Sequence, residues 1–286
     1  VSFSPHDVAL PEVLIRPIVR VALAEDFGRS GDITSAALIP AHQQGTCVIR
    51  ARSAGVVAGL QPARLTCAEV DPALSLEVLA SDGARVGKGD LVARLSGRVR
   101  SILMAERTVL NFMGRLSGVA TLTSAYVAEV AGTHARIADT RKTTPGLRAL
   151  EKHAVRLGGG LNHRFGLDDA ILIKDNHIAA CGSVAEALRR ARAGLQHLRK
   201  IEIEVDTLGQ LDEVLADPPD VILLDNMDEK TLGEAVRRVA GRAVTEASGG
   251  VSLKTVAAIA ATGVDVISVG ALTHSAPNFD LGLDWR

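Results

Sequence analysis

The densest chemistry of the chain is concentrated in one stretch: residues 141–177 hold seven Lys or Arg and three His. The stretch opens Asp139-Thr-Arg-Lys-Thr-Thr-Pro-Gly-Leu-Arg148, runs through Glu151-Lys-His153 and Arg156, and passes Gly158-Gly-Gly-Leu-Asn-His-Arg164 on the way to Lys174. Arginine presents a planar fork that matches a carboxylate bidentately, whereas lysine acts as a point charge. Arg141, Arg164, Lys142 and Lys174 around one mouth would suit a ligand with two carboxylates or several phosphates. Arg148, Lys152 and Arg156 have the look of an ordinary solvated helix face. Arg141, Lys142 and Lys174 do not, because each closely follows an apolar run of strand type. Gly158 to Gly160, beside Asn162, His163 and Arg164, read as a loop shaped around the ligand.

Acids follow the same rule of placement. Glu204 and Asp225 each close an apolar run. Two carboxylates facing a basic mouth are a natural Mg²⁺ site, since Mg²⁺ takes one or two carboxylates with waters and substrate phosphates. They would equally stabilise a developing cation, or serve as ion-pair partners of Lys142 or Lys174. Ser248, Gly249 and Gly250 precede a helical pattern at 252–261, and Gly270 to His274 follow the last apolar run. Free N–H groups at a helix start bind phosphate, and barrels often hold phosphate after their last two strands. Either loop taken singly reads as well as a tight turn.

The elements that must carry these residues are six short apolar runs: 136–138, 170–173, 201–205, 221–224, 243–245 and 264–269. Helical patterns at 145–157, 183–193, 207–216, 228–240 and 252–261 fill most of the gaps. Such alternation implies right-handed βαβ units and a parallel sheet covered on both faces. Each of the six runs is followed by a polar cluster, which favours a (β/α) barrel with its site at the C-terminal strand ends over an open sheet with one switch point. Six strands fall short of eight, so the barrel is expected to be incomplete or to contain strands the pattern hides. Upstream the chain reads as α+β: a helix at 11–24, strand-like runs within 46–60 and 74–95, and a short helix at 62–70, followed by a long helical stretch over 99–130 interrupted at Gly114 and Gly118. The expected division is a first domain over 1–114 and a barrel over 115–275, with the tail 276–286 packing back on the first.

Composition removes several classes of function. The chain has 286 residues, 47% hydrophobic and 23% charged, which fits a globular protein and not disorder or coiled coil. Aromatic residues are only 2%, which leaves no stacking platforms for nucleic acid. Net charge is −1, so nothing draws the whole chain to polyanions or to membrane. The charge is uneven, however: residues 201–286 carry 15 acids and 6 Lys or Arg, a net −9, leaving +8 on residues 1–200. A basic excess that coincides with the dense motif points to a small anionic ligand. Cys47, Cys67 and Cys181 show no paired spacing and read as reduced structural thiols. No apolar run spans a bilayer, and Val1 to Leu10 lack a leader pattern, so the cytoplasm is the expected location.

Taken together and in order, DTRKTTPGLRALEKHAVRLGGGLNHRFGLDDAILIKDNH, EVD, LLDN, EASGG and GALTHSAPNFDLGLDW resemble the quinolinate phosphoribosyltransferases, and EDFGRSGDIT, RSAGVVAGL and AERTVLNFMGRLSGVAT extend the likeness over nearly the whole chain. His153 departs from the family pattern, where a tyrosine is usual. The resemblance implies an N-terminal α/β sandwich-like domain joined to an incomplete barrel. It also implies an Mg²⁺-dependent pentosyl transfer from 5-phosphoribosyl-1-pyrophosphate to quinolinate, releasing pyrophosphate and CO₂. Carried over by position, Arg141, Arg164, Lys142, Lys174 and His163 would bind the quinolinate carboxylates and neighbouring phosphates, with Lys142, Lys174, Glu204 and Asp225 as the catalytic set. Glu204 and Asp225 would face ribose and metal, and Ser248, Gly249, Gly250, Gly270 and His274 the 5-phosphate. Arg107 would be supplied by the neighbouring subunit of a homodimer with shared sites.

Overall fold

The structure is a computed structural model and describes residues 9–285. Most of the segment read above as lacking a leader pattern lies outside the described residues. The chain forms two compact units. The first takes the chain up to Ser124, Thr143–Gly159, and the chain from Leu272 onward; the second takes Ala125–Lys142 and Gly160–Ala271. The first boundary thus falls nearer residue 124 than 114, and the helical segment 143–159 belongs with the N-terminal part, as does the C-terminal segment from Leu272, which contains the expected tail 276–286.

In chain order the elements begin α1 (Glu12–Phe27), α2 (Ile33–Leu38), β1 (Gln44–Ala51), β2 (Gly55–Val56), α3 (Leu60–Val70), β3 (Ser75–Val78), β4 (Arg85–Val86), β5 (Leu91–Arg98) and α4 (Val99–Glu129). They continue with β6 (Arg136–Ala138), α5 (Arg148–Leu157), β7 (Ile171–Ile173), α6 (Asp175–Cys181), α7 (Val184–Gly194), β8 (Ile201–Val205), α8 (Leu208–Val214), β9 (Val221–Asp225), α9 (Glu229–Val239), β10 (Val244–Ser248), α10 (Val256–Ala261), β11 (Val266–Ser268), α11 (Ala271–His274) and β12 (Leu281–Trp285).

In the first unit an antiparallel sheet in the order β12-β1-β5-β3 packs its apolar face into a core containing Ile49, Leu95, Ile102, Val109 and Met113. Strand β12 pairs with β1 from Cys47 opposite Trp285 to Ala51 opposite Leu281. Helix α4 is continuous through Gly114 and Gly118, where interruptions are expected from the sequence. Their real role is close approach: a Cβ on Gly118 would lie 2.0 Å from the Pro277 carbonyl oxygen, and one on Gly114 would lie 3.1 Å from that of Phe279. The Phe279 N–H donates to the Gly114 carbonyl at 2.9 Å. Helix α5 starts at Arg148, later than the expected 145, because Pro145 and a left-handed Gly146 (φ 81°) precede it. It is no solvated basic face either. Lys152 is 3% exposed, and the fully buried Glu151 carboxylate accepts from the Arg115 guanidinium and from Thr144.

The second unit holds six parallel strands in the order β6-β11-β10-β9-β8-β7. All six coincide with the apolar runs of the sequence to within a few residues. Ser183, Thr207 and Asp228 cap α7, α8 and α9 by accepting from the N–H three residues on, which fixes where each helix departs from its loop. Helix α9 buries Leu232, Ala235 and Val239, one stripe at helical spacing. Edge strands β6 and β7 are not paired with each other; on its free side β6 makes one parallel bridge, Ala138 with Leu161. The barrel is thus incomplete. Residues 252–255, expected as the first turn of α10, form a local turn in which the Ser252 N–H donates to Thr255 Oγ1, and the helix begins only at Val256. Among the described residues no helix is long and apolar enough to cross a membrane. The three cysteines are unbridged, and burial pushes the Cys47 thiol to about 11 and that of Cys67 to about 12.

Candidate active site

At the C-terminal ends of the second unit's strands lies a cavity of about 410 Å³. Arg141 and Lys142 after β6, Lys174 after β7, Glu204 in β8, Asp225 in β9, Glu246 and Ser248 in β10 and Ser268 in β11 all line it. Six flat strands at ~4.8 Å spacing would place the first and last about 24 Å apart. Contributions from both edge strands to one cavity therefore require the sheet to curl round it. A larger concavity of about 760 Å³ lies at the opposite ends of the strands. Its Arg192 is paired with Asp217 and its Asp220 with Lys200, as suits the stabilising end of such a fold.

The basic wall is built on Asp139. Fully buried at the end of β6, its carboxylate accepts from Asn162 Nδ2 at 2.7 Å and from the His163 N–H at 2.8 Å. Residues 162–164 are thereby fastened beside residues 140–142. Arg164 donates through Nη1 to the Ala170 carbonyl at 3.0 Å, which orients its guanidinium. Burial, and then the positive charge of Arg141, lower its affinity for its proton. A bound dianion would relieve the repulsion between two such guanidinium groups. Lys142 and Lys174 are both exposed at the mouth.

His163 has a geometry the sequence did not predict. Its Nδ1 accepts from the Arg164 N–H at 2.7 Å, and its Nε2 lies 3.0 Å from Glu202 Oε2 and 3.6 Å from Glu246 Oε1. Nδ1 is the acceptor, so the ring proton sits on Nε2 and points at Glu202. Burial first, then the charge of Glu202, raises the Glu246 carboxyl to about 7. Neither Glu202 nor Glu246 is among the site residues expected from the sequence. The signal was present in IEIEV: Ile201, Ile203 and Val205 are buried on one side, so Glu202 must share the opposite face with Glu204.

A separate acidic group comprises Glu204, Asp206 and Asp225, whose carboxylate oxygens lie within 4.8 Å of one another. Three convergent carboxylates at half-buried and exposed positions fit a hard, hydrated divalent cation, and Asp206 joins the two acids named from sequence. Glu204 is also the ion-pair partner of Lys174, through Oε2 and Nζ.

Beyond β10, Gly249 (φ 94°) and Gly250 (φ 61°) are both left-handed. A Cβ on Gly249 would fall 2.1 Å from Asn226 Oδ1, so that position excludes any side chain. Helix α10 starts six positions after Gly250, and these N–H groups belong to a loop and not to a helix N-terminus. Gly270 is half-buried after β11. Arg107 and His274 lie in the first unit: Arg107 is exposed on α4 with no hydrogen bond or ion pair among the described residues, and His274 ends α11 with Nδ1 2.6 Å from Ser275 Oγ.

Comparison with known proteins matches this arrangement. Residues 32–117 match the model of the quinolinate phosphoribosyl transferase N-terminal domain, and residues 119–284 that of the C-terminal domain. A relative from Mycobacterium leprae, named nicotinate-nucleotide pyrophosphorylase [carboxylating], is 49% identical over 94% of this chain and 96% of its own length. A Nicotiana tabacum relative, quinolinate phosphoribosyltransferase [decarboxylating] 1b, is 43% identical over 99% and 85%. Among solved structures, NadC from Streptococcus pyogenes superposes with a TM-score of 0.93 at 40% identity, covering 98% of this chain and all of that one. The Francisella tularensis nicotinate-nucleotide pyrophosphorylase gives 0.94 at 37% identity with both chains fully covered. With both domain models matched in order, and relatives of this identity aligned almost end to end, the chain belongs to the quinolinate phosphoribosyltransferase family.

Proposed function

We propose that this chain transfers the phosphoribosyl group of 5-phosphoribosyl-1-pyrophosphate to quinolinate with decarboxylation, giving nicotinate mononucleotide, pyrophosphate and CO₂ in NAD biosynthesis. The observation that carries the reading is the meeting of Arg141, Arg164, Lys142 and Lys174 with Glu204 and Asp225 at one cavity. Quinolinate is a pyridine with two adjacent carboxylates, and the crowded guanidinium pair supplies the complementary charge. Anchoring both carboxylates aims the ring nitrogen at C1 of the ribose, and such positioning can replace much of an activation barrier. As the pyrophosphate leaves, C1 gains oxocarbenium character, as in other glycosyl transfers. Glu204 and Asp225 lower the energy of that cation through their negative charge. Glu204, Asp206 and Asp225 would hold Mg²⁺, which when bound neutralises charge on the departing pyrophosphate. The exposed Gly249 and Gly250 loop is the proposed seat of the 5-phosphate, with Gly270 completing it.

The proposal includes a homodimer in which Arg107 reaches the partner's site, supported by the exposure of Arg107 and its lack of a partner in its own chain among the described residues. It also includes a cytoplasmic location, supported by the unbridged thiols. The direct test incubates purified protein with quinolinate, 5-phosphoribosyl-1-pyrophosphate and Mg²⁺ and follows CO₂ and pyrophosphate. Stoichiometric release of both is expected; absence of both with folded protein would overturn the reading. Within that assay Arg141→Ala should lower kcat/KM for quinolinate by about 30-fold or more, because a lost charge-assisted bidentate contact costs roughly 2–4 kcal/mol. Kinetics near those of the parent protein would remove Arg141 from the site.

A further inference from the structure

Decarboxylation leaves an electron pair on ring carbon 2, where nicotinate mononucleotide carries hydrogen, so the reaction proposed above needs a proton that no residue has yet been assigned to give. Glu246 lines the inner end of the cavity, two residues deeper along β10 than Ser248. It is 5% exposed, and its Oε1 has no hydrogen-bond partner among the described residues. The groups facing it are Glu202 from β8, His163 from the segment after Leu161, Asp139 from the end of β6 and Ser268 from β11. Only His163 among them can bear positive charge, and its Nε2 lies nearer Glu202, at 3.0 Å, than Glu246, at 3.6 Å. One imidazole proton cannot compensate two buried carboxylates, and an uncompensated buried charge is expensive enough that the group takes up a proton instead. The His163 Nε2–H is directed at Glu202, and Glu246 is left as the neutral acid, in keeping with its elevated pKa of about 7.

We propose that Glu246 is the acid that delivers the proton to ring carbon 2 as CO₂ leaves. The bond from C2 to its carboxylate breaks, and its electron pair stays on C2 beside the quaternised ring nitrogen. The Glu246 O–H bond breaks as the C2–H bond forms. Glu246, then a carboxylate, regains its proton from water between turnovers. Glu202 and His163 are positioning residues in this scheme: the imidazole N–H is turned toward Glu202, 3.0 Å away, and not toward Glu246.

The inference rests on the reaction proposed above, and its test separates the two. Single turnovers of the parent protein and of Glu246→Gln are run with quinolinate labelled in the 2-carboxylate, and pyrophosphate and CO₂ are followed in the same sample. In Glu246→Gln, pyrophosphate release should stay within about threefold while CO₂ release falls about 100-fold, the scale of a lost general acid. A phosphoribosylated intermediate that keeps both carboxylates should accumulate. In the parent protein the acid form is present below its pKa and lost above it, so CO₂ release should fall as pH rises through about 7 while pyrophosphate release does not follow. Equal loss of both steps, or CO₂ release within about threefold of the parent, would overturn the role of Glu246. A parent protein that releases no pyrophosphate would overturn the reaction and this role together.

Discussion

Arg107→Ala and Lys142→Ala proteins, each nearly inactive alone, should regain activity when mixed and allowed to exchange subunits. Each single variant removes one charged contact to an anionic substrate in every site, and a loss of roughly 10³-fold corresponds to about 4 kcal/mol. If Arg107 serves the partner's cavity, a mixed dimer holds one site with both residues intact and one with neither. Equal amounts pairing at random give half mixed dimers with one good site in two, so recovery should approach about a quarter of the parent activity. Lys142 stands at the cavity of the second unit, whereas Arg107 is exposed on α4 in the first. Heterodimers confirmed by native mass measurement, yet without recovery, would show that Arg107 acts within its own chain.

Chelation should silence the enzyme to a similar degree. Glu204, Asp206 and Asp225 converge without enough cationic partners to balance three charges; Lys174 pairs only with Glu204. EDTA should abolish turnover and added Mg²⁺ restore it, while Asp225→Asn should stay about 10³-fold impaired at saturating Mg²⁺, since removing a charged metal ligand costs several kcal/mol. Titration calorimetry of Mg²⁺ with 5-phosphoribosyl-1-pyrophosphate present gives a readout independent of turnover, and Asp225→Asn should weaken the heat signal. Full activity in chelator would overturn the metal role of all three carboxylates.

Most of the barrel was legible because its strands are short, largely apolar runs followed abruptly by polar residues, a pattern that survives in a single sequence. Val221 to Asp225 is one example, buried along its middle and acidic at its last position. Arg141, Lys142 and Lys174 stood out because nothing else explains a cation immediately after such a strand. Glu202 did not, since a carboxylate inside an apolar strand looks like an interruption until its face is known. Gly114 and Gly118 misled for the opposite reason: glycine usually marks a break, and only the segment at 277–279 shows that here it makes room. The insert 143–159 was assigned to the barrel because helix periodicity tells which face is buried but not in which unit. Lys152 was read as solvated for the same reason, as its burial depends on partners far away in sequence.

The pairing of β12 with β1 has a consequence for how the protein is made. Arg50 and Asp284 are joined by an ion pair across 234 positions, and the strand containing Asp284 supplies one edge of the first unit's sheet. During synthesis β1 is the first strand to leave the ribosome and waits unpaired on that side until residues 281–285 have been added. The second unit's strands are all complete before β12 emerges. The unit that begins first therefore finishes last, and its open β1 edge is the part of the nascent chain with most to gain from a chaperone.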